Sequence, residues 1–198
     1  SVNQWLIARY GFSNTEVFPN FRFLKRAINV PCKTDTLRLV FMARINKKKG
    51  YEIIFNLSDY LESRGYDFVI DFYGVIFDED REHFMQLVEI HSKHTSYNGV
   101  LSPDVIQDTL SQYDLLLFPT RYYTEGLPGT IIDSYMAGVP VIATNWKYAT
   151  DFIDDGETGA IVPFDEPQMH INNTVKRIYE DRKYLEYLKS NVRRIRNL

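Results

Sequence analysis

The chain has 198 residues, 44% apolar and 25% charged, enough for one large domain whose core needs no covalent staples. A formal net charge of −3 argues against non-specific nucleic-acid binding, which needs a dense basic surface. The single cysteine, Cys32, excludes an internal disulfide framework and suits a reducing, cytoplasmic setting, and no apolar run approaches the roughly 18 residues that span a bilayer.

The sequence opens at Ser1 without an initiator methionine or a signal-peptide pattern, so a processed or excised piece is expected. Residues 1–36 show no strand–helix rhythm. "EVFPN" reads as an extended piece ending in a turn at Pro19-Asn20, and Cys32 follows Pro31 with no sign of activation. A regular pattern then begins. "LRLVFMA" (37–43) is a near-continuous apolar run, as in a strand buried on both faces. "GYEIIFNLSDYLESR" has helical spacing, with Gly65 placed to cap its end. "DFVIDFYG" (67–74) predicts a strand, "DEDREHFMQLVEIHSKH" a helix and "SYNGVL" a short strand. "SPDVIQDTLSQY" predicts a helix with Ser102 as N-cap and Pro103 in its first position. "DLLLFP" (114–119) reads as a central strand, "LPGTIIDSYMA" as a helix ended by Gly138, and "VPVIAT" (139–144) as another strand. A short helix "YATDFI", a turn "DDGETG" and a last strand "AIVP" follow, and from about Asp165 the pattern is helical and increasingly basic.

Strand and helix alternate through 37–163. That predicts an α/β domain with a doubly wound, Rossmann-like parallel sheet. Right-handed crossovers bring all the strand ends to one edge, and ligands bind outside the carboxyl ends at the switch point. The loops that matter begin at Arg44, Gly74, Val100, Pro119 and Thr144.

In "ARINKKKGY", Arg44 and Lys49 flank a short strand-to-helix loop. Two cations near a helix N-terminus suit a phosphate-bearing ligand, and a solvated basic loop is the alternative. Neither the G-x-x-x-x-G-K-[ST] loop nor G-x-G-x-x-G follows the first strand. In "TEGLPGTIID", Gly126, Pro128 and Gly129 surround a helix start where a ligand can approach exposed N–H groups. Glu125 just outside it, and Asp133 eight positions on, suit hydroxyl groups better than phosphate, since like charges repel. Two cations, a helix N-terminus and two hydroxyl acceptors match a diphosphate carrying sugars at each end.

These blocks resemble the donor-binding half of retaining glycosyltransferases of family four, which have the GT-B fold. The resemblance rests on "EGLPGTIIDSYMAGVPVIATNWKYATDFIDDGETGAIVP", "ARINKKKGY", "DFYG", "YNGVL" and "YDLLLFPT", in that family's order, over roughly 37–164. It implies that Arg44 and Lys49 bind the donor diphosphate and stabilise its departing charge, and that Glu125 contacts donor-sugar hydroxyls. The backbone at Gly126 and Leu127 would lie under sugar and phosphates, and that at Val100 would contact the base. Asp133 stands where the family's E-x7-E pattern has a second Glu for the ribose. It is a departure, one methylene shorter. The resemblance implies a hexose moved with retention from a UDP- or GDP-linked sugar, without metal or other cofactor, to a glycan or lipid-linked acceptor in polysaccharide assembly. It also implies an acceptor-binding half upstream, with 1–36 as its tail and linker and 37–198 as the nucleotide-sugar domain. The isolated piece is expected to bind donor but transfer little or nothing. Another GT-B activity, such as an epimerase or phosphorylase, and a non-catalytic nucleotide-binding module are the alternatives.

The remaining candidates read more plainly. His91 and His94, spaced i, i+3, lack the further ligands that a metal site needs and are expected on an exposed helix end. His83 and His170 read as surface helix residues, and Lys47 and Lys48 as solvated. Tyr122 and Tyr123 either border the sugar site or pack. "NVRRIRNL" reads as a solvated helix end, with contact to anionic lipid at the inner membrane face as the alternative.

Overall fold

The computed structural model describes residues 7, 9–11 and 35–196. The expected extended piece at "EVFPN", Cys32 and nearly all of the expected linker lie outside these. Six strands form one parallel sheet: β1 (Leu37–Met42), β2 (Phe68–Tyr73), β3 (Thr95–Tyr97), β4 (Leu115–Phe118), β5 (Val141–Thr144) and β6 (Gly159–Val162), in the order β3-β2-β1-β4-β5-β6. The helices are α1 (Tyr51–Ser63), α2 (Asp78–Ile90), α3 (Ile106–Leu110), α4 (Gly129–Met136), α5 (Gln168–Glu180) and α6 (Arg182–Arg196).

Alternation along the strands divides the core. Leu37, Leu39 and Phe41 of β1 face α1 and α2, packing with Phe55, Phe84 and, from α5 and α6, Val175 and Leu188. Val40 faces the other way and joins Leu116, Phe118, Leu110 of α3 and Ile131 of α4. Both sheet faces are therefore covered, which is why the strand sequences are apolar throughout. Chain order reverses between β1 and β4: β1 leads outward to β2 and β3, and β4 leads to β5 and β6. That junction is the switch point of a doubly wound sheet.

Two elements differ from expectation. The helix expected from Ser102 begins only at Ile106, because a Val105 N–H to Ser102 C=O bond (3.1 Å) closes a separate turn first. β3 ends at Tyr97 because the chain turns at Gly99, which has φ +75° and whose carbonyl accepts from Gly74 N–H at 2.8 Å. The basic tail is two helices. Asp181 breaks them, and its Oδ1 accepts the N–H groups of Lys183 and Tyr184, as an N-cap does. Within α6, Leu185, Leu188 and Val192 are buried, and Lys189 is ion-paired with Asp114. No described helix is long and apolar enough to cross a membrane.

Two glycines set how closely the loops pack at the carboxyl edge. Gly74 has φ +137°, and a Cβ there would lie 1.8 Å from Ala43 O. Gly50, with φ +81°, passes so close to β4's exit that a Cβ would lie 2.0 Å from Pro119 O. Gly50→Ala is expected to cost more than about 3 kcal/mol, combining left-handed strain with a backbone clash. The check is a lower urea midpoint at unchanged m-value; an unmoved midpoint would show that the two loops part readily.

Candidate functional site

The loop after β1 and the loop after β4 flank the switch point. In the first, Asn46 sits extended and its Oδ1 accepts Lys49 N–H at 3.0 Å, capping a 3-10 turn over Lys47–Lys49. Gly50 then turns left-handed into α1. In the second, Thr120 is buried; its carbonyl accepts from Thr144 Oγ1 at 2.5 Å and its Oγ1 accepts Tyr122 N–H at 3.2 Å. Arg121 N–H donates to Lys48 C=O at 2.8 Å, lacing the loops together.

This arrangement brings Lys49 and Glu125 into contact. The Lys49 ammonium is ion-paired and hydrogen-bonded to Glu125 Oε2, and their side chains are 17% and 16% exposed. Thr120 Oγ1 approaches the same carboxylate oxygen at 3.5 Å, and the ammonium lies 5.7 Å from the centre of the Phe118 ring. A cation and an anion, both largely shielded from water, thus meet above the ends of β1 and β4.

The other sequence candidates surround this pair differently. Arg44 is exposed, with its guanidinium 6.0 Å from the Phe77 ring centre, apart from the Lys49–Glu125 contact. Val100 is exposed on the neighbouring loop after β3. Gly126 is exposed with open space over its backbone, and Leu127 is half-buried. α4 begins after Pro128 with no side-chain cap and no acid in its first turn, which leaves its N-terminus electropositive. Asp133, by contrast, is buried at 4% exposure within α4. Lys47 and Lys48 are exposed, as expected. Tyr122 and Tyr123 are exposed, and the Tyr123 ring meets Phe164 edge-on at 5.3 Å.

His91 and His94 do not form an exposed helix end. Their side chains are 8% and 15% exposed. His91 bonds to Leu87 C=O at 2.7 Å and Asp59 at 3.0 Å; His94 bonds to Phe68 C=O at 3.1 Å and stacks on the Phe68 ring. Packing claims both rings, which residue spacing alone does not reveal. Among the described residues no three His, Cys, Asp or Glu side chains gather as metal ligands. His83 is half-buried and bonded to the Tyr51 hydroxyl, while His170 is exposed.

A cavity of about 730 Å³ adjoins these loops, along α1, α2 and the loop after β6, lined by Glu52, Asn56, His83, His91, Arg121 and Gln168 among others. None of the seven sequence candidates lines it. At the strand ends the structure brings together Lys49 and Glu125, in the loop that leads to the uncapped start of α4.

Sequence reasoning missed Asn46, Thr120 and Phe118 as parts of this site. Asn46 stands three residues before Lys49, a capping spacing that could have been found. The roles of Thr120 and Phe118 depend on contacts across the sheet.

A doubly wound sheet with such a crevice defines an α/β class whose ligands bind outside the carboxyl ends of the strands. Within that class, the chain belongs to the Glycosyl transferases group 1 family, whose model matches residues 26–195. It is similar to an uncharacterized 41.2 kDa protein in the cps region of Klebsiella pneumoniae, with 26% identity over 72% of this chain and 37% of that protein. It is also similar to a putative colanic acid biosynthesis glycosyltransferase, WcaL, of Salmonella typhimurium, with 24% identity over 74% of this chain and 37% of that protein. The chain thus spans well under half the length of these curated relatives. Its fold resembles that of the pneumococcal O-GlcNAc transferase GtfA, solved with UDP and GlcNAc: TM-score 0.72, 18% identity, 99% of this chain and 39% of that one.

The Lys49–Glu125 contact is testable without ligand. A double-mutant cycle with Lys49→Met and Glu125→Gln, read by denaturant unfolding, is expected to give a coupling of about 1–3 kcal/mol, above the exposed-pair range because both groups are shielded. A coupling near zero would mean that the pair is not formed in solution.

Proposed function

We propose that this domain is the donor-binding half of a retaining hexosyltransferase. It would take a UDP- or GDP-linked sugar and pass the hexose to a hydroxyl of a glycan or lipid-linked acceptor held by an upstream half. The Lys49–Glu125 pair at the switch point carries this reading. It supplies one group for phosphate and one for sugar hydroxyls, side by side, next to the open N-terminus of α4. The colanic acid biosynthesis relative, and the one in a cps region, favour a role in polysaccharide assembly. GtfA's complex with UDP and GlcNAc supports a nucleotide sugar as ligand of this fold.

The chemistry follows from charge exchange. Without ligand, Glu125 is the counter-ion of Lys49. An entering diphosphate replaces it, held by Lys49, by Arg44 swung from Phe77 and by the α4 amides. Glu125 is then released to accept hydrogen bonds from sugar hydroxyls. As the glycosidic bond to the diphosphate breaks, negative charge grows on the leaving oxygen. Prearranged cations and amides stabilise it there, which is the main electrostatic contribution of such a site. Gly126 keeps the floor open for the sugar, the Val100 loop receives the base, and Asp133 serves the ribose from within α4.

Calorimetric titration with UDP, GDP and ADP and their sugars tests the site; no binding by any of them would reject it. Glu125→Ala is expected to weaken sugar-nucleotide binding by about ten- to a hundredfold, the loss of hydrogen bonds to a charged acceptor. Free nucleoside diphosphate should bind Glu125→Gln as tightly as wild type or tighter, because Lys49 loses its internal competitor. Equal losses for both ligands would remove Glu125 from the sugar. Asp133→Ala is expected to weaken both ligands alike.

A further inference from the structure

The loop carrying Lys49 is short and its three consecutive lysines repel one another, so its course must be held from outside. On the sheet side, Ile45 bridges to Ile76 in parallel fashion and Phe77 N–H donates to Ile45 C=O at 3.0 Å. On the α2 side, one carboxylate holds it. Asp80, 8% exposed, accepts Lys47 N–H through Oδ2 at 3.2 Å and the Tyr51 hydroxyl through Oδ1 at 3.1 Å. Lys47 and Tyr51 lie two residues before and two after Lys49. Asp80 therefore grips the turn on both sides of the lysine that faces the crevice.

The grip is braced from behind. With its proton given to Asp80, the Tyr51 oxygen accepts from His83 Nδ1 at 2.9 Å, so that nitrogen is the protonated one in this arrangement. Burial and the bond to Asp80 push the Tyr51 hydroxyl well above the ordinary tyrosine range, so it remains a donor. Glu52 of α1 lies 3.7 Å from His83 Nδ1 and 3.8 Å from the Lys47 ammonium.

We propose that Asp80 is a positioning residue for the donor diphosphate: by tying Lys47 and Tyr51 to α2, it fixes where the Lys49 ammonium meets the phosphates. The proposal rests on the donor-site reading above. A purely structural Asp80 would support folding and leave phosphate discrimination untouched, and that difference is measurable.

The test is calorimetry on this chain with the best-bound of UDP, GDP and ADP and the matching monophosphate, beside melting temperatures. Asp80→Ala is expected to weaken diphosphate binding roughly tenfold with little change for monophosphate, because a misplaced lysine loses only its own partner. Asp80→Asn is expected to restore the diphosphate preference to within about twofold: its carbonyl can still accept Lys47 N–H while its amide donates to the Tyr51 oxygen, whose own proton turns to His83 Nδ1 in the imidazole's other tautomer. A folded Asp80→Ala chain with the wild-type preference would overturn the proposal, as would an Asn variant no better than Ala. Should Asp80→Ala not fold, Tyr51→Phe removes half the grip and is expected to lower the preference about threefold; an unchanged preference in that folded variant also overturns it. A wild-type chain that binds no nucleoside diphosphate rejects the donor site itself, and this inference with it.

Discussion

The crevice depends on how closely two stretches of backbone pass at Gly50 and Pro119. Only a residue without a Cβ allows it, since that atom would sit 2.0 Å from a carbonyl oxygen. The close passage lets Arg121 N–H reach Lys48 C=O and sets the Lys49 ammonium against Glu125. Loosening it would leave the strands in register and the core packed, but the two charged loops would no longer address the same space. The glycine is thus a spacing device between two halves of a site.

In the proposed donor site the Lys49–Glu125 pair is a placeholder. Removing two charges from water is costly, and a shielded pair is weak support for stability in itself. Its worth lies in keeping a cation desolvated and aimed before an anion arrives. Phe118 beneath the ammonium and Thr120 beside the carboxylate limit where either group can go. In the donor-site reading proposed above, a ligand anion would exchange one carboxylate for phosphate without first stripping the lysine of bulk water.

Much of the fold is legible in the sequence because a parallel sheet covered on both faces writes its strands as apolar runs. "LRLVFMA" and "DLLLFP" locate β1 and β4 almost to the residue, and the family motifs add the loops between them. Element ends are less legible: Ser102 has the chemistry of a cap, yet a local turn takes it. Among site residues, Glu125 and Lys49 can each be picked out from its loop. Their contact cannot, since it depends on the crossover of β1 and β4. Asp80 is hidden for a different reason. An acid in the first turn of a helix, beside Asp78 and Glu79, looks like a response to the helix dipole. His91 and His94 mislead in the opposite direction, because spacing says nothing about the rings and carbonyls that engage them. Asp133 stands out as an acid among Ile and Met, and the structure buries it within α4.

Lys49 and Glu125 lie 76 positions apart along the chain, with α1, β2, α2, β3, α3 and β4 between them. Bringing them together requires β4 to pair beside β1, on the side away from β2. Such distant parallel pairings form slowly and only once shorter-range structure exists. A partly folded chain, even one with β1, α1 and β2 in place, therefore has the lysine but no partner for it. The Lys49–Glu125 contact therefore forms only once β4 has paired with β1, so it reports that this one long-range pairing is in place.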